Sequence, residues 1–159
     1  MVFYQSEPPE RIPLEVWKHF RDVRQIKRLG GPSGVKIEVL DHPWKYTKSE
    51  RGAYFEYVVK KVFRTAREPM IVFLDPDTGL GRDKKTTKEH VCPTELGTLF
   101  DVMQKRGCLV FYQHAQRRKD WRQVTRKRFA SAIGLSPEDV RPEFSEVAKD
   151  VILFVVHKK

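Results

Sequence analysis

Met70-Ile71-Val72-Phe73-Leu74-Asp75-Pro76-Asp77-Thr78-Gly79 is the stretch on which the fold turns. Its first half is an unbroken apolar run of strand length, rich in β-branched and aromatic residues, and reads as a buried strand. Its second half is a turn signal that leaves two carboxylates at the strand's end. A second stretch answers it. Cys108-Leu109-Val110-Phe111-Tyr112 is again apolar and ends in Gln113-His114-Ala115-Gln116-Arg117-Arg118. A loop and one helix fit between the two. Strand, helix, strand is the parallel unit, and its strands end on the same edge of the sheet. Asp75, Asp77 and His114 are therefore expected on one rim, the place where open parallel sheets bind ligands.

The rest of the chain supplies elements around that unit. Residues 1–12, with their prolines, read as an extended lead-in. Pro13 opens a helix to about Leu29, in which Leu14, Trp17, Phe20, Arg21, Arg24 and Lys27 alternate apolar and basic at helical spacing. Gly30-Gly31-Pro32-Ser33-Gly34 reads as a connector. Val35 to Leu40 alternates with period two and predicts a strand. Thr47 or Ser49 caps a helix over about 50–66, with Tyr54, Tyr57, Val58, Val62 and Phe63 as its apolar stripe. The loop after Gly79 is polar and basic, carrying Arg82, Lys84, Lys85 and Lys88. Pro93 starts a helix to about Arg106, and Gly107 stops it. Lys119 to Ile133 is a helix with Trp121, Val124, Phe129 and Ile133 inward, ended by Gly134. Ser136-Pro137-Glu138-Asp139 opens one short turn, and Val151 to Val156 is a last apolar strand whose direction is left open. About four strands and four helices in alternation predict one α/β domain over residues 1–159, a small Rossmann-like three-layer sheet, mostly parallel.

Composition narrows the partner. The 159 residues carry a net charge of +10. Such an excess of Lys and Arg favours a polyanion, nucleic acid before membrane. Cys92 and Cys108 have no metal or disulfide spacing, so free thiols in a reducing cytoplasm are expected. The opening Met1-Val2-Phe3-Tyr4-Gln5-Ser6-Glu7 turns polar at once, unlike a secretory leader. No apolar run reaches the roughly 18 residues of a membrane span. A cytoplasmic protein that does not enter membranes is the expectation.

The rim residues define a chemistry. Asp75 and Asp77, one residue apart at a strand tip, can share a hard divalent ion such as Mg²⁺, which keeps several waters and needs only one or two protein carboxylates. Such an ion activates water and neutralises a phosphodiester in its transition state. The alternative for both acids is plain turn chemistry. Histidine's ordinary pKa lies near working pH, so His114 suits a general acid or base; otherwise it bonds a backbone carbonyl or a nearby Asp. Gln113, by alternation, points away from His114 towards a helix layer. Arg117, Arg118, Arg122, Arg126 and Lys127 form a basic helix start that can hold phosphates, with Lys84 and Lys85 on the loop. Trp44 and Tyr46 are candidates to stack on bases, or else part of the core.

These motifs resemble a set of uncharacterised bacterial proteins. The shared order is an apolar strand, Asp-Pro-Asp-Asn-Gly, a basic loop, a helix with an acidic residue, then an apolar strand ending Tyr-Gln-His and an Arg. The matching positions are Asp75-Pro76-Asp77-Thr78-Gly79, Glu95, and Tyr112-Gln113-His114 with Arg117, over about residues 50–130. The resemblance implies no known activity. More distantly, the arrangement is similar to the C-terminal half of Rossmann-like methyltransferases, where an Asp-Pro-Pro-Tyr loop follows a strand. Asp77-Thr78 replaces Pro-Tyr here, and no Gly-rich loop follows an N-terminal apolar strand, so S-adenosylmethionine is not expected.

Two readings follow. One is a nucleic-acid-binding, Mg²⁺-dependent phosphodiester hydrolase with Asp75, Asp77 and His114 at its centre. The other is a non-catalytic nucleic-acid-binding or regulatory protein on a degenerate Rossmann-like methyltransferase fold, which needs the basic helix and not the carboxylates.

Overall fold

The structure is a computed structural model. It describes residues 36–40, 50–65, 70–82, 87, 89–144 and 149–159. The lead-in, the helix expected over 13–29, the glycine connector, Trp44, Tyr46, the caps at Thr47 and Ser49, and Lys84, Lys85 and Lys88 lie outside the described residues. The chain divides into two compact units, Met1–Pro43 and Trp44–Lys159. Of the first, Lys36–Leu40 is described, and it is irregular chain instead of the expected strand.

The second unit is a mixed α/β layer pair. Its elements are α1 (Glu50–Thr65), β1 (Ile71–Leu74), β2 (Gly79–Leu80), β3 (His90–Val91), α2 (Pro93–Val102), β4 (Cys108–His114), α3 (Trp121–Ala132), a 3₁₀ turn (Pro137–Asp139), β5 (Arg141–Glu143) and β6 (Val151–His157). The main sheet has the order β1-β4-β6-β5, and β2 and β3 form a separate two-stranded parallel ladder. The β1–β4 pair is parallel, as the strand–helix–strand reading requires, with Leu74 opposite Phe111.

The expectation of a mostly parallel sheet is corrected by β6. It pairs antiparallel with both β4 and β5, so β1, β4 and β5 share one direction and β6 alone opposes them. The cause is chain length. Residues 144–150 join β5 to β6, and a parallel return needs a crossover of roughly a dozen residues or more. The chain therefore doubles back as an antiparallel pair, and β6 slots in beside β4.

Among the described residues, the helices pack on one face of the sheet. Alternation turns Leu109, Phe111 and Gln113 of β4, with Ile152, Phe154 and Val156 of β6, to that side, where all are buried. Phe129 of α3 lies between Phe111 and Phe154, at ring distances of 5.4 and 5.2 Å. Leu96, Leu99 and Phe100 of α2 and Val62 of α1 complete the same core. On the opposite face, Ile71 is 72% and Phe73 52% exposed, so β1, an edge strand among the described residues, is half open and not the buried strand its composition suggested.

The helices end where local chemistry ends them. At the close of α3, Gly134 takes φ +70° and Leu135 N–H reaches back to Ala130 O at 2.9 Å, the left-handed stop that glycine favours. Helix α2 stops at Val102, short of the expected Arg106. The Lys158 ammonium donates to Phe100 O and Asp101 O, both at 2.6 Å, and so takes up carbonyls that a longer helix would have used. The left-handed residue before β4 is Arg106, at φ +67°, and not Gly107.

Candidate functional site

The candidate site is the rim where β1 and β4 end. Parallel pairing lines the two strands up, and β4 runs on past the partner of Leu74 to His114. Tyr112 and His114 alternate onto the face away from the helices, where their rings meet edge-on at 4.9 Å. Asp75, the first residue after β1, joins them there. Loss of water by burial is the main influence on its carboxyl and raises its pKa; His114 pulls the pKa down and Asp77 pushes it further up. Asp75 thus lies within electrostatic reach of both Asp77 and His114. Tyr112 has its pKa raised by burial and then by Asp75 and Asp150.

Asp150 is the acid that sequence reading missed. It comes to this rim because β6 runs antiparallel to β4: His114 lies opposite Val151, and Ala115 N–H donates to Asp150 O at 2.7 Å. Nothing in the chain's local pattern marks it. Among the described residues, no group of three or more His, Cys, Asp or Glu is placed to hold a metal ion together.

A set of polar clamps fixes the chain that leaves this rim. Gln113 is fully buried on the helix side. Its Oε1 accepts from Leu80 N–H at 2.8 Å, and its Nε2 donates to His114 O at 2.8 Å. Thr78 donates to Glu89 O from both its N–H, at 3.1 Å, and its hydroxyl, at 2.8 Å. Arg128 of α3 donates to Gly81 O. Arg51 of α1 grips Glu95 of α2 through two bonds of 2.6 Å, and reaches Thr87 O at 2.9 Å and His90 O at 2.6 Å. Glu95 also accepts Cys92 N–H at 2.9 Å, half of a capping box at the start of α2. The bond to Glu95 raises the Arg51 pKa above its ordinary value.

The basic residues divide into two groups. Arg122 Nη2 donates to Lys149 O at 2.7 Å, and the guanidinium lies against the Trp121 and Phe144 rings at 5.3 and 5.4 Å. Arg126 Nε donates to Val140 O at 2.9 Å. These two hold the chain around β5 and β6. Arg118 pairs with Asp120 at 2.6 Å, an exposed contact that raises the arginine's pKa and lowers that of the acid. Arg117, Lys119 and Lys127 are exposed. Lys119, Asp120, Arg122 and Gln123 line a shallow hollow of about 430 Å³ that does not include the acidic tip.

No protein-family model, curated protein or solved structure matches this chain. No helix among the described residues is long and apolar enough to cross a membrane.

Proposed function

We propose that this chain is a nucleic-acid-binding hydrolase that cuts phosphodiester bonds at the β1–β4 rim. The observation that carries the reading is the closeness of Asp75 to both Asp77 and His114 at the ends of two parallel strands. Asp75 and Asp77 would hold one divalent ion, which would supply Lewis acidity and offset the phosphate charge. His114 takes a proton from the attacking water or gives one to the leaving oxygen. Arg117, Lys119 and Lys127 draw the backbone in, and the net charge of +10 speeds its approach.

The test is cleavage of labelled single- and double-stranded DNA and RNA with Mg²⁺ or Mn²⁺. Asp77→Ala is expected to abolish metal-dependent cleavage while leaving nucleic-acid affinity intact. Cleavage that survives the substitution removes the proposal. A second reading is supported by the exposed cations alone: a non-catalytic nucleic-acid-binding protein, which would bind without cutting in either form.

A further inference from the structure

We infer that Gln113 is a positioning residue, which holds the acidic Asp75–Gly79 loop in register with His114. A primary amide with no exposed surface needs a reason to be in a core, since burying it without partners is costly. Here each end of the amide is used. The oxygen takes the N–H of Leu80, just beyond the acidic loop, and the nitrogen reaches the carbonyl of His114. One side chain thus ties two main-chain segments, one leading from the acids and the other bearing the histidine.

The fit at the loop is close. Gly79 has φ +92°, a conformation that favours glycine, and a Cβ built there would collide with the Gln113 amide. Asp77 is therefore bracketed. Leu74 fixes the chain before it through the β1–β4 ladder, and Gly79–Leu80 fixes it afterwards through Gln113. Thr78, bonded to Glu89, and Gly81, bonded to Val91 at 2.8 Å, steady the same stretch from its outer side. Those bonds do not touch β4. Among the described residues, Gln113 is a side chain that hydrogen-bonds the loop to the strand carrying His114. A passive core role would need only a side chain of similar volume; the paired amide bonds and the bare glycine call for this one.

The metal readout of the following test rests on the hydrolase reading, and its amide readout does not. In the full chain, Gln113→Leu keeps the apolar volume and removes both bonds. The Leu80 amide is expected to exchange with solvent at least about tenfold faster. Mn²⁺ affinity, measured by calorimetry, is expected to fall about 10–100-fold, as when a group supporting a metal ligand is removed. Val156→Ala, a core deletion away from the loop, serves as the stability control and should change neither readout. Should Gln113→Leu fail to fold, Gly79→Ala strikes the same junction from the loop side and carries the same expectations. An unchanged Leu80 exchange rate overturns the inference. So does unchanged Mn²⁺ affinity in a protein that binds the ion. A wild-type protein that binds no Mn²⁺ removes the hydrolase reading instead, and Leu80 exchange alone then sustains or overturns the role of Gln113.

Discussion

Asp75 concentrates the opposing forces of the rim. Burial and Asp77 disfavour its charge, and His114 only partly offsets them. The folded protein therefore holds the Asp75 proton more tightly than the unfolded chain does. Ionised Asp75 weakens the fold at neutral pH, and the penalty fades as the pH falls through the raised pKa. Asp75→Asn is expected to raise the thermal midpoint at pH 7, with the gain shrinking as the solution is acidified into the carboxylate range. A lower midpoint at pH 7 would show that the acid is stabilising where it stands. This residue, Asp77 and His114 could be named from the sequence because charges that end apolar runs stand out. The partners of Gln113 could not. Alternation placed it opposite His114, but its main partner is a backbone N–H, which looks alike at every position. Thr125 was hidden for the same reason: it is buried, and its hydroxyl bonds to Trp121 O at 2.6 Å within its own helix.

Among the elements, α1 and α2 are joined by the Arg51–Glu95 pair, both side chains being largely shielded, at 23% and 17% exposure. The same guanidinium holds the backbone ahead of α2, so the pair acts as a hinge pin for the chain entering that helix. Arg51→Ala and Glu95→Ala are each expected to cost roughly 1.5–3 kcal/mol in urea denaturation, the range for hydrogen bonds to charged groups. The double variant should cost clearly less than the two together, because each single change already breaks the shared ion pair. Strictly additive losses would mean the two side chains stabilise the protein independently. The three described helices were readable from their apolar stripes, whose period is long enough to repeat. β2, β3 and β5 were not, since two or three residues leave no period to detect. Lys36–Leu40 shows the reverse error. Alternation tells which face a strand would bury, not whether a neighbouring edge is there to pair with it.

At the scale of the whole molecule, charge and topology separate. The excess of Lys and Arg is a property of the surface, but Arg122 and Arg126 are tied to the main-chain carbonyls of Lys149 and Val140. Salt dependence should therefore respond to Arg117 and Lys127, which are exposed. Arg117→Glu with Lys127→Glu is expected to weaken binding to duplex DNA and to flatten the slope of log K against log salt by about 0.9 for each phosphate no longer neutralised. An unaltered slope would place the binding surface elsewhere. The direction of β6 was beyond reach from sequence, because an apolar strand reads the same both ways; only the short link from β5 decides it.

That inserted strand also sets an order of events in time. β4 and β5 are neighbours of β6 and not of each other, so the main sheet stays split until residues 151–157 arrive. A growing chain that has reached β5 has made only the β1–β4 pair of this sheet, with Phe111 and Phe129 still lacking Phe154. The rim is equally unfinished at that moment, as Val151 has yet to come alongside His114. Assembly thus waits on this strand: the core closes, and the acidic tip takes its full surroundings, once β6 is in place.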